Sequence, residues 1–329
     1  MKFNNYLKPL LSGYYKHYRY PNQRLALVVG MLPWKDIVNE WVFESAHVQI
    51  QRHFDKQYFN LWLKPFIQKV NPVIYIWGYK APQYFIEYVR EQGLDIFFLE
   101  DGFIRSGPDD DSSMPPLSIV MDSQAPYFDT TRPNDLTDLI ANFDFEQDNY
   151  DEVLAQEMLD YYVSHRVSKY NHQPYVDVAP IYGTKNKERI LVLGQVPLDD
   201  SLKYGGGEGI TLLDVVKKAI KESADAQIIV KPHPMTLDNP DIVSTLIELD
   251  CLILTQSIHL VDALETIDHV YTITSLGGLE ALLRGKKVTV LGRPFYRSLA
   301  LINQNQIHVK KSLITPQWLY LVFIYQLLY

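Results

Sequence analysis

Short apolar runs alternate with amphipathic stretches along most of this chain, and their order predicts its architecture. Leu25 to Val29 reads LALVV and ends at Gly30, a buried strand closed by a turn residue. From roughly Lys35 to Val70, Phe54, Tyr58, Leu61, Leu63 and Phe66 recur at near-helical spacing, which predicts a helical region. A second strand, Val73 to Trp77, ends at Gly78. A helix from about Pro82 to Glu91 is stopped by Gly93, and a third strand runs from Asp95 to Leu99. Strand and helix in alternation is the signature of a parallel sheet with crossover helices.

The regularity breaks between about Asp101 and Glu146, where Asp, Ser, Gly and Pro cluster. Loops of that length inside a domain tend to carry function. A helix from about Asp151 to Lys169 reads as a connector, and the alternation then restarts. Arg189 to Leu193, Gln227 to Val230, Cys251 to Thr255, His269 to Ile273 and Lys287 to Leu291 read as strands. Leu212 to Ser223, Leu260 to Glu265 and Gly277 to Arg284 read as helices. The expected fold is α/β, with two Rossmann-like doubly wound domains facing a central cleft. Residues 1–150 form the first domain, 151–170 the connecting helix and 171–296 the second domain; 297–329 are a terminal segment packing back on the first.

A length of 329 residues suits two domains, and 47% hydrophobic with 21% charged residues supports a large core. The net charge of −8 argues against a nucleic-acid-binding face, so no nucleic acid is expected as a partner. It leaves room for an anionic small substrate held by a local cluster of cations. The single cysteine, Cys251, sits in an apolar run, which excludes a disulfide framework and suits a reducing cytoplasm. Met1 to Asn5 do not open a signal peptide. No stretch approaches the roughly twenty apolar residues of a membrane-spanning helix. The aromatic run Trp318 to Tyr329 has two readings: a packed terminal helix, which is favoured, or a surface that docks on a bilayer or a partner.

The chemistry-bearing motifs follow predicted strands, where open α/β sheets bind ligands. Lys231-Pro232-His233-Pro234 presents a lysine and a histidine on a proline-stiffened turn, suited to a phosphate or carboxylate; a solvated loop is the plain alternative. In Thr274-Ser275-Leu276-Gly277-Gly278-Leu279-Glu280, two hydroxyls and two glycines lead into a helix N-terminus, an anion site. Glu280 lies close enough to that end to reach ribose hydroxyls. The plain alternative is a capping sequence, with Ser275 or Thr274 as N-cap and the glycines allowing close packing, which explains the hydroxyls better than the paired glycines.

Gln195 to Ser201 contains Asp199 and Asp200, either of which suits a nucleophile or general base, although a turn or helix cap is the better reading by itself. Glu100, Asp101 and Arg105 end the third strand and offer an acid or acceptor contact, or a strand-end salt bridge. Asp109-Asp110-Asp111 lacks the apolar framing of a metal site, and the nine histidines show no zinc spacing. No Gly-x-Gly-x-x-Gly follows the first strand of either half, which weakens an oxidoreductase reading.

Taken in order, Trp77-Gly78, EDGFIRS (Glu100 to Ser106), PPLS (Pro115 to Ser118), YFDTTRP (Tyr127 to Pro133), Gln195 with Asp199, KPHP (Lys231 to Pro234), TSLGGLEAL (Thr274 to Leu282) and GRPFY (Gly292 to Tyr296) form a specific set. The set resembles the bacterial β-Kdo transferases of capsule assembly, the KpsC type, and more distantly the β-Kdo module of WbbB. The resemblance implies a GT-B-like fold and a retaining transfer of Kdo from CMP-β-Kdo to a saccharide or lipid-linked saccharide in surface polysaccharide synthesis. It implies double displacement through Asp199, with Glu100 as an active-site acid or hydrogen-bonding partner on the acceptor side. Gln195, Lys231, His233, Thr274, Ser275, Gly277, Gly278 and Glu280 would hold the donor, and Asp101, Arg105 and Ser201 would be substrate contacts.

No metal or other cofactor is implied, CMP-Kdo being a co-substrate. A cytoplasmic protein at the inner face of the inner membrane is implied, with peripheral membrane or capsule-assembly partners. Two departures stand out: Arg297-Ser298-Leu299-Ala300 replace the family's glycine-rich continuation, and one module is present where two are common. The alternatives are a transferase for another CMP-linked acidic sugar, such as a sialic acid, and a sugar-nucleotide-binding protein without catalysis.

Overall fold

Strands rich in apolar residues need cover on both faces, and three of the five in the second half of the chain form the interior of a parallel sheet. The computed structural model describes residues 4–32, 47–50, 53–107, 116–146, 148, 150–297, 316–317, 319–323 and 325. The chain divides into two compact units, the first mainly Met1–Ser106 with Asp110–Pro126, the second mainly Tyr127–Tyr325.

The first unit opens with a helix, α1 (Asn4–Arg19), then β1 (Ala26–Val29) and β2 (His47–Ile50). A helix α2 runs through Lys56–Tyr58, a π-helical stretch Phe59–Leu63 and Lys64–Val70. β3 (Val73–Trp77), α3 (Gln83–Glu91), β4 (Ile96–Asp101) and β5 (Ile119–Asp122) complete it. The sheet order is β2-β1-β3-β4-β5, with only the β4–β5 pair antiparallel.

The helical expectation over Lys35–Val70 is corrected at His47–Ile50. There Val48 and Ile50 point into the core while His47 and Gln49 are half-exposed, the period of two that belongs to an edge strand. From Lys56 onward the region is helical, with Tyr58, Leu63 and Phe66 buried and Leu61 exposed. Asp109-Asp110-Asp111 lies outside the described residues.

The second unit contains α4 (Asp135–Asn142), α5 (Glu152–Ser164), α6 (Ala179–Tyr182), β6 (Arg189–Leu193), α7 (Asp200–Tyr204), α8 (Leu212–Glu222), β7 (Gln227–Lys231), α9 (Pro234–Leu237) and α10 (Pro240–Glu248). β8 (Leu252–Ile253), α11 (Leu260–Ala263), β9 (His269–Thr272), α12 (Leu276–Leu283) and β10 (Lys287–Val290) follow. The order β10-β9-β6-β7-β8, all parallel, is the doubly wound arrangement, and the winding reverses between β6 and β9. Ile190, Val192, Val230 and Tyr271 pack with Val215, Val216 and Ala219 of α8 to form its core. Residues 127–133, in the irregular stretch after the first half, are tied into this unit: the Thr130 amide donates to Tyr204 O (3.2 Å) and its hydroxyl to Arg293 O (2.7 Å).

At the start of β6 the buried Arg189 anchors the sheet. Its guanidinium donates to Gln227 Oε1 (2.8 Å), Thr266 Oγ1 (2.6 Å) and Gly183 O (2.6 Å). Cys251 is half-buried and its thiol is pushed up to about 11 by desolvation and by Asp250, so it stays protonated and unreactive near neutral pH. The C-terminal aromatic run takes the packed form: residues 316–317, 319–323 and 325 are helical, and Leu319, Leu321, Val322 and Tyr325 are buried. Among the described residues no helix is long and apolar enough to cross a membrane.

The buried His269 bonds Thr289 Oγ1 through Nε2 at 2.8 Å, and desolvation, with Lys287 adding to it, lowers its pKa from 6.5 to about 4. Because the folded form holds this imidazole neutral, the unfolded chain binds the extra proton first. Stability therefore falls as the pH drops from about 6.5 towards 4. Thermal unfolding across that range should show the loss, and His269→Asn should flatten it.

Candidate functional site

The ends of β6 and β9 lie side by side at the point where the second sheet reverses its winding, and the residues just beyond them are joined by one side chain. Gln195, two residues after β6, uses both ends of its amide. Its Oε1 accepts from the Thr274 backbone N–H (2.8 Å), while Nε2 donates to Thr274 Oγ1 (2.9 Å) and Ser201 Oγ (3.2 Å). The two hydroxyls are themselves 3.2 Å apart. Gln195, Ser201 and Thr274 thus form one polar cluster that fixes the loop after β6 against the loop after β9. With its amide engaged in this way, Gln195 acts on the site through its neighbours.

The β6 loop turns sharply before Asp199. Leu198 has φ +64° with a side chain 98% exposed, a left-handed conformation that strains a leucine by about 1–3 kcal/mol. The turn sets Asp199 as the N-cap of α7, where Oδ1 accepts from the Ser201 N–H at 2.7 Å. Capping and chemistry are compatible at this residue, because one carboxylate oxygen suffices for the cap. Its charge is also felt by His233, whose pKa it raises against a larger lowering by burial.

Gly194 brings the two loops together, because a Cβ there would meet the His233 N–H nitrogen at 2.8 Å and Pro232 Cα at 3.0 Å. His233 caps α9, its Nδ1 accepting from the Met235 N–H at 3.3 Å. That bond requires an unprotonated Nδ1, so the neutral ring carries its proton on Nε2 and can donate it to an anion. Desolvation, and secondarily Lys231, keep His233 below its ordinary value. Lys231, the last residue of β7, is itself lowered by desolvation, and no carboxylate comes within 4.0 Å of it among the described residues. A half-buried cation with no counter-ion is suited to receive one from a ligand.

Ser275 is the N-cap of α12 and accepts from the Gly277 N–H at 3.2 Å, leaving its hydroxyl proton to donate outward. The paired glycines serve packing. A Cβ on Gly278 would collide with the hydroxyl of the fully buried Tyr296, which donates to Ser275 O. A Cβ on Gly277 would press on Leu193 Cδ1 at 2.8 Å. Close approach by Tyr296 is thus the reason for glycine, and the anion-binding feature that remains is the first turn of α12.

Glu280 is buried and directed at the chain after α5: Oε1 accepts from the Lys169 N–H at 3.3 Å, with Ser168 and Arg284 beside it. Desolvation raises its pKa. This carboxylate is part of the packing of α12 rather than of the Gln195 cluster. In the first unit, Glu100 and Asp101 pair with Val120 and Ile119 across the β4–β5 ladder, and the buried Arg105 has Nε 4.0 Å from Asp101 Oδ2. These three are brought together at the end of one strand. Tyr296 and the Arg293 backbone, whose N–H donates to Gly205 O at 2.6 Å, help to build the site although neither charge nor spacing marks them as site residues. The aromatic GRPFY stretch carries their signal. Among the described residues, no group of three or more His, Cys, Asp or Glu side chains gathers as metal ligands would.

Two substitutions test this geometry. Gln195→Ala leaves the Thr274 N–H and two hydroxyls without their partner and should lower stability by about 1–3 kcal/mol in urea unfolding. Gly278→Ala should destabilise by a similar ~1–3 kcal/mol through overpacking, and adding Tyr296→Phe should restore part of the loss.

Comparison with known proteins gives this arrangement a context. The chain is 32% identical over 292 residues to the lipopolysaccharide-processing protein LpsZ of Rhizobium meliloti, covering 86% of this chain and 64% of LpsZ. It is 36% identical over 215 residues to the capsule polysaccharide modification protein LipA of Neisseria meningitidis serogroup A, covering 64% of this chain and 30% of LipA. The chain therefore spans less than two thirds of either relative. Among solved structures, the Thermosulfurimonas dismutans KpsC β-Kdo 2,4 transferase matches with TM-score 0.65 and 28% identity over 82% of this chain and 80% of that one. The KpsC β-Kdo 2,7 transferase of the same organism matches with TM-score 0.59 and 25% identity, covering 83% and 80%. Two Rossmann-like units in one chain are the GT-B-like composition. The family model described as capsule polysaccharide biosynthesis protein matches residues 73–183 and 149–328, and this chain belongs to that family.

Proposed function

We propose that this chain is a retaining β-Kdo transferase that moves Kdo from CMP-β-Kdo to a saccharide or glycolipid acceptor in surface polysaccharide synthesis. The observation that carries the reading is the meeting of a carboxylate, Asp199, with Lys231 and His233 at the strand ends of a doubly wound sheet. The similarity to two KpsC β-Kdo transferases supports it.

In the proposed reaction the free oxygen of Asp199 attacks the anomeric carbon of Kdo. The bond from that carbon to the CMP phosphate oxygen breaks, and CMP leaves with the bonding pair. The acceptor hydroxyl then attacks the same carbon, gives up its proton to solvent water, and the carbon–oxygen bond to Asp199 breaks to return the free carboxylate. Two inversions give net retention. The oxygen that caps α7 need not let go, so the loop keeps its shape throughout. Kdo carries a carboxylate on its anomeric carbon, so an anionic nucleophile meets an anionic centre. The Lys231 ammonium and the His233 Nε2–H offset that repulsion and receive charge developing on the phosphate, and the first turn of α12 adds its dipole.

Gln195 and Thr274 hold the Asp199 loop in this scheme, with Ser275 toward the phosphate. We assign Glu100 to the acceptor alcohol, with Asp101 and Arg105 supporting it. The reading includes no metal or other cofactor. It places the protein on the cytoplasmic side of a membrane, with a lipid-linked acceptor and capsule-assembly partners.

The test is incubation with CMP-Kdo, generated in place, and Kdo- or hexose-terminated glycolipid analogues, with NMR of the product. A β-linked Kdo is expected, and CMP-sialic acid should not compete. Without acceptor, mass spectrometry should find a Kdo adduct on Asp199. Asp199→Ala should lower transfer by about a thousandfold or more. Near-normal transfer by that variant would remove Asp199 as nucleophile, and Kdo transfer with inversion would remove the double displacement. Lys231→Met should lower kcat/KM by about a hundredfold, as loss of a charge-assisted contact to the leaving phosphate.

A further inference from the structure

We infer that the solvent-facing side of α1 docks the chain on an anionic phospholipid bilayer. Residues 1–35 contain Lys2, Lys8, Lys16, Arg19, Arg24 and Lys35 and not one Asp or Glu, in a chain whose net charge is −8; Arg24 pairs with Asp95 and Lys16 donates to His47 O, while Lys8 and Arg19 stand exposed on α1. This segregation of charge is the first observation.

The second is which side chains α1 leaves outside. Its inner face is anchored: Leu10 is buried, Tyr14 meets Phe66 edge-on at 5.0 Å between ring centres, and Gly13 lies against Phe66 and Val48, where a Cβ would collide at 2.7 Å. The exposed positions Lys8, Leu11, Ser12, Tyr15, Tyr18 and Arg19 recur at helical spacing along the opposite side. Leu11, Tyr15 and Tyr18 are 67%, 68% and 66% exposed. Leu61 of the π-helical stretch that packs beside α1 is exposed as well.

Large apolar and phenolic side chains interleaved with cations match the layered chemistry of a bilayer interface. Leucine and tyrosine side chains enter the headgroup boundary while lysine and arginine meet phosphates. A second copy of this chain is a poor occupant, because two such faces would bring cations against cations. Among the described residues of the C-terminal run, Leu319, Leu321, Val322 and Tyr325 are packed away, whereas α1 keeps Leu11, Tyr15 and Tyr18 outside beside Lys8 and Arg19. The inference rests on the proposed membrane-side role only for its purpose.

The test is sedimentation of the full chain with vesicles of phosphatidylcholine, with and without phosphatidylglycerol, at low and high salt. Binding is expected only to the phosphatidylglycerol vesicles and is expected to weaken with salt. Each cation near such a surface is worth about fivefold in partitioning, so Lys8→Gln with Arg19→Gln should weaken binding about twenty-five-fold. Leu11→Ser with Tyr15→Ser should weaken it separately. Tyr161→Ser, removing an equally exposed tyrosine on α5, should leave it unchanged.

Binding that persists in both α1 variants overturns the inference, as does absence of binding to anionic vesicles by the folded wild-type chain. A concentration-dependent dimer abolished by the Leu11 and Tyr15 changes, seen in analytical ultracentrifugation, overturns it in favour of a second copy. Transfer to a water-soluble acceptor, measured on the same variants, should be unaffected; its absence in wild type counts against the transferase reading and leaves vesicle binding as its own result.

Discussion

One primary amide holds the second unit of this molecule in register. β6 and β9 are neighbours in the sheet but far apart in the chain, and their loops leave in opposite winding directions. Gln195 closes that gap with a pair of bonds to Thr274, one to the backbone and one to the hydroxyl, and a third to Ser201. The Ser201 contact extends the link to α7, whose cap is Asp199. A side chain with a donor and an acceptor on a rigid plane is needed for this; a carboxylate would lack the donor and a lysine the acceptor.

Beside that clamp the protein half-buries a cation, Lys231, with no carboxylate within 4.0 Å of it among the described residues. Lys231 and His233 both have their charged forms disfavoured by burial, and His233 feels Lys231 as a like charge. Such an arrangement is costly in the free protein, and an anion bound there would offset the cost with charge-assisted hydrogen bonds. The same logic explains why the histidine is fixed through Nδ1. A neutral ring pinned by a backbone N–H presents one proton in one direction without bringing a second full charge beside the lysine.

Much of the fold was legible because the second sheet is made of apolar runs such as RILVL and QIIVK, whose burial on both faces leaves no competing pattern. The less legible elements are those whose reason lies elsewhere in space. β2 is four residues long and its alternation is swamped by the helical spacing that follows it. β5 sits in a polar stretch and exists because it pairs with β4, from Phe98 to Asp101. At the site, the residue types and their order were readable in KPHP and TSLGGLEAL. The division of labour within them was not. Gly278 answers to Tyr296, 18 positions on, and Glu280 to a backbone amide 111 positions back.

Arg189 stands at the opposite end of β6 from Gln195 and draws a different consequence from the same strand. Its guanidinium is buried among carbonyls, a hydroxyl and an amide, holding the bottom of the sheet to α6 and to the approach to β9. A single strand thus has a buried guanidinium at one end and the Gln195 polar cluster just beyond the other. Loss of the Arg189 guanidinium would leave the Tyr182 and Gly183 carbonyls and the Gln227 and Thr266 side chains without their shared donor. Loss of the Gln195 side chain would instead release the loops after β6 and β9 from each other, at a cost in stability of its own.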